Sequence, residues 1–143
     1  MTALVKDLLA HKGTRVEIIR SDATIDQAIA KMIAAGVGSL IVLDGSAVLG
    51  IVTERDMMVR VLAAHRDPLI TPVRDVMSRD LIVAHSRDPL TLVSALMTDC
   101  RFRHLPVVDD GKLVGLISAG DVTAWQVREQ RQTIDDLHDY ITR

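Results

Sequence analysis

Apolar residues recur along this chain with two periods, one helical and one extended, and the two alternate. Leu4, Val5, Leu8 and Leu9 fall on one stripe, which predicts a short N-terminal helix closed by His11-Lys12-Gly13. Val16 to Ile19 reads as a short strand, and Ser21-Asp22-Ala23-Thr24 supplies turn and cap residues for the next helix. Ile25, Ile29, Met32 and Ile33 line one face of that helix, and Gly36 stops it. Ser39 to Leu43 and Ala47 to Val52 are apolar runs joined by Asp44-Gly45-Ser46, a hairpin pattern. Thr53 then opens a helix to about Ala64.

After His65 to Pro72, a connector holding Pro68 and Pro72, the pattern restarts. Val73-Arg74-Asp75-Val76-Met77 echoes Val5-Lys6-Asp7-Leu8-Leu9. Leu81 to Ala84 predicts a strand. Asp88-Pro89 predicts a helix start with proline at the favoured first position, and Leu92, Leu96 and Met97 its buried face. His104 to Val108 and Leu113 to Ile117 form a second hairpin around Asp109-Asp110-Gly111. Ser118 opens a helix to about Gln130, followed by a separate amphipathic stub carrying Ile134, Leu137, Tyr140 and Ile141. The expected organisation is a first repeat over 1–64, a connector over 65–72, a second repeat over 73–130 and the stub over 131–143. Each half reads β-α-β-β-α, an α+β fold, and each is too small to bury its own sheet well. Two halves related by a pseudo-twofold axis share one core, with the two helix starts facing the cleft between them.

The repeat is sharpest at those helix starts. Gly50-Ile51-Val52-Thr53-Glu54-Arg55-Asp56 and Gly115-Leu116-Ile117-Ser118-Ala119-Gly120-Asp121 stand 65 positions apart (115 − 50). In each, a hydroxyl residue precedes an aspartate by three places, the spacing of a capping box. A helix start also presents unpaired N–H groups and partial positive charge to an anion. Taken alone, each copy reads first as a cap and nothing more; it is the repetition at equal positions that points to a ligand.

Composition narrows the classes. The 143 residues suffice for one core; 48% are hydrophobic and 25% charged, and the net charge is −2, so no basic field invites nucleic acid. One cysteine, Cys100, excludes an intramolecular disulfide and fits a reducing, cytoplasmic setting. Closing a helix, it reads as a small buried residue. With one Phe, one Trp and one Tyr, the core must be aliphatic. No apolar run approaches a membrane span, and the charged Met1–Lys12 stretch is unlike a signal peptide. The five histidines lack metal-ligand spacing. Gly36-Val37-Gly38 follows a helix rather than a strand and Ile41 stands where a third glycine is needed, which excludes a dinucleotide fingerprint; a Walker lysine motif is missing too. No acid–base constellation points to catalysis.

The two Gly-h-h-[Thr/Ser]-x-x-Asp segments, Leu105-Pro106-Val107-Val108-Asp109, and Asp109-Asp110-Gly111-Lys112-Leu113-Val114-Gly115 resemble paired cystathionine-β-synthase (CBS) domains, over nearly the whole chain. The C-terminal Thr133 to Ile141 looks like the tail of small stand-alone CBS proteins. The resemblance implies a regulatory module that binds an adenosine ligand such as AMP, ATP or NAD and acts on a partner protein, without enzymatic activity. It implies that Asp56 and Asp121 bond ribose hydroxyls, that Thr53 and Ser118 help hold phosphate, and that adenine lies near Ile18 and Val83. It further implies that Arg103 and His104 face the phosphate. Arg55, replaced by Gly120 in the second copy, is a further expected contact and source of asymmetry. The competing reading is a ligand-free dimerisation scaffold. For the two terminal stripes the choice is between folding back on their own domain and pairing in a homodimer, which is the expectation favoured here.

Overall fold

The computed structural model describes residues 3–142. Helix α1 (Val5–Lys12) is followed by β1 (Ile18–Arg20), α2 (Ile25–Ala35), β2 (Ser39–Asp44) and β3 (Ala47–Thr53). Helix α3 (Glu54–Asp56) runs on as a π-helical stretch, Met57–Leu62. A single 3₁₀ turn, Val73–Asp75, precedes α4 (Leu90–Cys100), β4 (His104–Asp109), β5 (Lys112–Ser118) and α5 (Ala119–Thr142). β1 pairs parallel with β2 and β2 antiparallel with β3, while β4 and β5 form an antiparallel pair. The mixed α+β repeat is as the sequence predicts, with Thr24 capping α2 and Gly36 ending it in the left-handed region at φ 66°.

Four local expectations are corrected. The strand over Leu81 to Ala84 reduces to one bridge, Ala84 to Val107, matching the Ile19–Val42 pairing of the first sheet. In the first repeat the Ile41 N–H donates to the Glu17 carbonyl. Its counterpart is Pro106, which has no N–H to give, so the pairing stops. Pro89 is the N-cap of α4, with extended ψ 139°, and the helix therefore buries Leu90, Val93 and Met97 while Leu92 is exposed. Ile33 is likewise exposed on the flank of α2. The C-terminal stub is no separate element, since α5 continues unbroken for 24 residues with no proline or glycine after Gly120.

The core is divided, and the segments ahead of each repeat are exchanged. Val73, Val76 and Met77 pack with Ile25, Leu40, Val52 and Val61 in the core of the first repeat. Val5, Leu8 and Leu9 pack with Val93, Leu105 and Ile117 in the core of the second. The N-terminal stripe is thus covered within the chain. Gly50 and Gly115 sit where these crossing segments press against a strand. A Cβ on Gly115 would lie 2.8 Å from Leu9 Cδ2, and one on Gly50 would collide with the Ser78 carbonyl oxygen.

Candidate functional site

Both helix starts are built as the spacing requires. Thr53 N–H donates to Asp56 Oδ2 at 2.9 Å and Asp56 N–H to Thr53 Oγ1 at 3.4 Å. In the second repeat Ser118 N–H donates to Asp121 Oδ2 at 2.9 Å and Asp121 N–H to Ser118 Oγ at 3.0 Å. The cap occupies Oδ2 in each case. A carboxylate has lone pairs beyond this, so capping does not exhaust what either aspartate can accept.

The surroundings of the two carboxylates differ. Asp56 Oδ1 lies 3.6 Å from Arg60 Nε, and Arg60 Nη1 donates to the Val76 and Met77 carbonyls at 3.0 and 3.1 Å. The first aspartate is thereby tied to the crossing segment. Asp121 Oδ2 lies 2.5 Å from Lys12 Nζ, which also donates to the Leu116 carbonyl at 2.7 Å. Burial opposes the charge on Asp121, but the Lys12 ammonium and Ser118 N–H outweigh it and hold the carboxyl below its ordinary range.

Thr53, Arg55 and Asp56 line a cleft of about 520 Å³ together with Arg101, Phe102, Arg103 and His104 from the second repeat. That volume is within the ordinary range for small-ligand sites. Gly38, Ile51, Glu54, Ser78, Asp80 and Leu81 complete the wall. Ser78 is held there by exchanging backbone hydrogen bonds with Ile51, 3.0 and 2.8 Å long. Half-buried His104 is kept below its ordinary pKa by burial first and the Arg103 charge second, against an opposing pull from Asp121. The cleft joins a carboxylate capable of accepting hydrogen bonds from two hydroxyls to guanidinium groups suited to phosphate, beside apolar surface from Ile51, Leu81 and Phe102.

Five of the expected residues are brought together: Thr53, Arg55, Asp56, Arg103 and His104. Ser118, Gly120 and Asp121 lie at the start of α5, with Lys12 against the carboxylate. Ile18 borders a separate hollow with Thr14, Val16 and Leu113, and Val83 is exposed; neither lines the cleft. Cys100 is exposed, a correction to its expected burial, because it occupies the outer face of the last turn of α4. Sequence reading passed over Leu81, Ser78 and Arg101. Arg101 had a signal: it aligns with Gly36 and takes the same left-handed conformation, at φ 58°. A β-carbon in that region is strained, so the chain holds an arginine where its first repeat uses glycine.

The CBS domain family model matches residues 5–63 and 73–128. The CBS domain-containing protein CBSX3, mitochondrial, of Arabidopsis thaliana is 32% identical over 96% of this chain and 71% of its own. The solved CBS domain NE2398 shares 35% identity with a TM-score of 0.83, over 89% of this chain and 99% of that one. The CBS domain pair of protein MJ0100, solved with 5′-methylthioadenosine and S-adenosyl-L-methionine, shares 26% identity with a TM-score of 0.77, over 90% of this chain and 99% of that one.

Proposed function

This chain belongs to the CBS-domain family, and from that premise we propose that it is an adenine-nucleotide sensor whose ligand occupies the Asp56 cleft. The observation carrying this reading is the meeting of Asp56 from one repeat with Arg103 and His104 from the other in a single cavity. Asp56 accepts from the ribose hydroxyls, and Thr53 with the Arg55 and Arg103 guanidinium groups holds phosphate. Adenine rests on Leu81, Ile51 and Phe102, in place of the Ile18 and Val83 expected from sequence. AMP, ATP and NAD share the required ribose and phosphate; the compounds bound in the MJ0100 pair share the adenosine but carry no phosphate. The pair of repeats acts as a regulatory module rather than an enzyme, in a cytoplasmic homodimer that passes the ligand state to another protein.

The second site is the weaker one, because a ribose at Asp121 must compete with the Lys12 ammonium. Calorimetry with AMP tests both statements. Asp56→Asn keeps an oxygen for the Thr53 cap but loses the charge, and affinity is expected to fall by about 1.5–3 kcal/mol, tenfold or more. Lys12→Met is expected to add a second binding event, and Arg103→Ala to weaken AMP more than adenosine. Full affinity in Asp56→Asn removes the ribose role. Heatless titrations of the intact chain with AMP, ATP and NAD favour the scaffold reading instead.

A further inference from the structure

The two repeats part company just after α2 and α4. Gly36-Val37-Gly38-Ser39 of the first repeat aligns with Arg101-Phe102-Arg103-His104 of the second, at the same offset of 65 (101 − 36). Both glycines of the first repeat are arginines in the second. Gly36 and Arg101 end their helices in the same left-handed conformation, at φ 66° and 58°. Glycine adopts it freely, whereas a β-carbon at this φ crowds its own backbone. Arg101 therefore carries a strain that the first repeat avoids, and what the chain gains there is a guanidinium.

The backbone at this point is held. Phe102 packs against the core of the second repeat, and the Arg103 carbonyl accepts the Ala119 N–H at 2.8 Å. Arg101 and Arg103, both exposed, border the Asp56 cleft together with Arg55. Three guanidinium groups thus meet in one cavity of about 520 Å³. Glu54, Asp56 and Asp80 line it too, yet among the described residues no ion pair engages any of these three arginines. The Asp56 carboxylate is turned instead to the Thr53 N–H and to Arg60. A phosphate monoester carries about −1.5 to −2 at neutral pH, which two guanidinium groups balance. Arg55 and Arg103 already supply two. The third, and the strained one, is left for charge that lies beyond a first phosphate.

We propose that the Asp56 cleft takes an adenosine polyphosphate, with Arg101 gripping the phosphates beyond the first and so selecting ADP and ATP over AMP. This rests on the nucleotide reading above and adds to it the length of the phosphate chain and the residue that measures it.

Calorimetry on the intact chain with AMP, ADP and ATP tests the proposal. The nucleotides are sodium salts in a buffer containing EDTA, so that no divalent cation stands between phosphate and arginine. The unaltered chain is expected to bind ADP and ATP about tenfold more tightly than AMP, the scale of one added hydrogen bond between charged groups. Arg101→Gly is expected to lose that preference. Arg101→Lys, which keeps the charge without the planar fork, is expected to retain part of it. Glycine takes this φ without strain, so the urea midpoint of Arg101→Gly is expected at or above that of the unaltered chain. A lower midpoint overturns the strain on which the proposal rests. Equal losses for all three nucleotides in Arg101→Gly overturn its role in selection. An unaltered chain that binds AMP as tightly as ATP overturns the polyphosphate inference and leaves the nucleotide reading, while no binding of any of the three overturns both.

Discussion

His104 shows how one side chain reports on the junction of the repeats. It stands opposite Ser118 in the β4–β5 register and in the field of Arg103, Asp121 and Lys12. Burial holds its folded pKa below the ordinary histidine value, so the folded state binds fewer protons than the unfolded state near that value. The stability it contributes is complete above the unfolded value and is lost as pH falls through the depressed folded value. Urea midpoints are therefore expected to decline from pH 7 toward pH 5 more steeply in the unaltered chain than in His104→Asn. Carboxylates titrate in both proteins, so the difference between the two curves is the measurement. Parallel curves dismiss the burial argument for this residue.

Among the elements, the short segments before each repeat do more than their length suggests. α1 completes the second core and the Val73–Met77 segment completes the first. Gly50 and Gly115 permit the close approach, so the glycines that open the two signature segments have a packing reason independent of any ligand. Gly115→Ala is expected to cost about 1–3 kcal/mol in urea denaturation, because the new methyl must displace the end of Leu9. Gly50→Ala is expected to cost more, since its obstacle is the Ser78 backbone. Adding Leu9→Ala to Gly115→Ala should give less than the sum of the two single losses, as expected for groups in contact. Strict additivity separates Gly115 from the crossing segment.

At the scale of the molecule, the reciprocal exchange makes the halves interdependent. A fragment of residues 1–64 lacks Val73, Val76 and Met77 and leaves its core open. A fragment of residues 13–80 contains every residue of that core. The longer cut is expected to melt cooperatively by circular dichroism and the 1–64 fragment to show no transition. Equal transitions in the two fragments make the exchanged contacts energetically idle. The same interdependence reaches the Asp56 helix start. Arg60 reaches from Asp56 to the Val76 and Met77 carbonyls, so the carboxylate at one helix start is tied directly to the crossing segment.

What the sequence determined by itself was local. Period, turn chemistry and capping depend on residues within a few positions of one another, so the helices, the two hairpins and both Thr/Ser-x-x-Asp caps were legible, and the offset of 65 between Gly50 and Gly115 exposed the repeat. Tertiary structure decided whatever depended on distant partners. It ended the strand before Ala84, because Pro106 has no N–H to donate to it. It set Leu81 rather than Val83 in the cleft wall, since the linker is held by Ser78 on Ile51. It sent α1 into the other repeat, a destination that an apolar stripe cannot encode because any aliphatic core satisfies it. It also separated two helix starts that look alike in sequence. Lys12 reaches Asp121 across 109 positions, while Asp56 opens onto arginines from the opposite repeat. A carboxylate's partner is fixed by where the chain returns in space, and no spacing within either seven-residue segment carries that information.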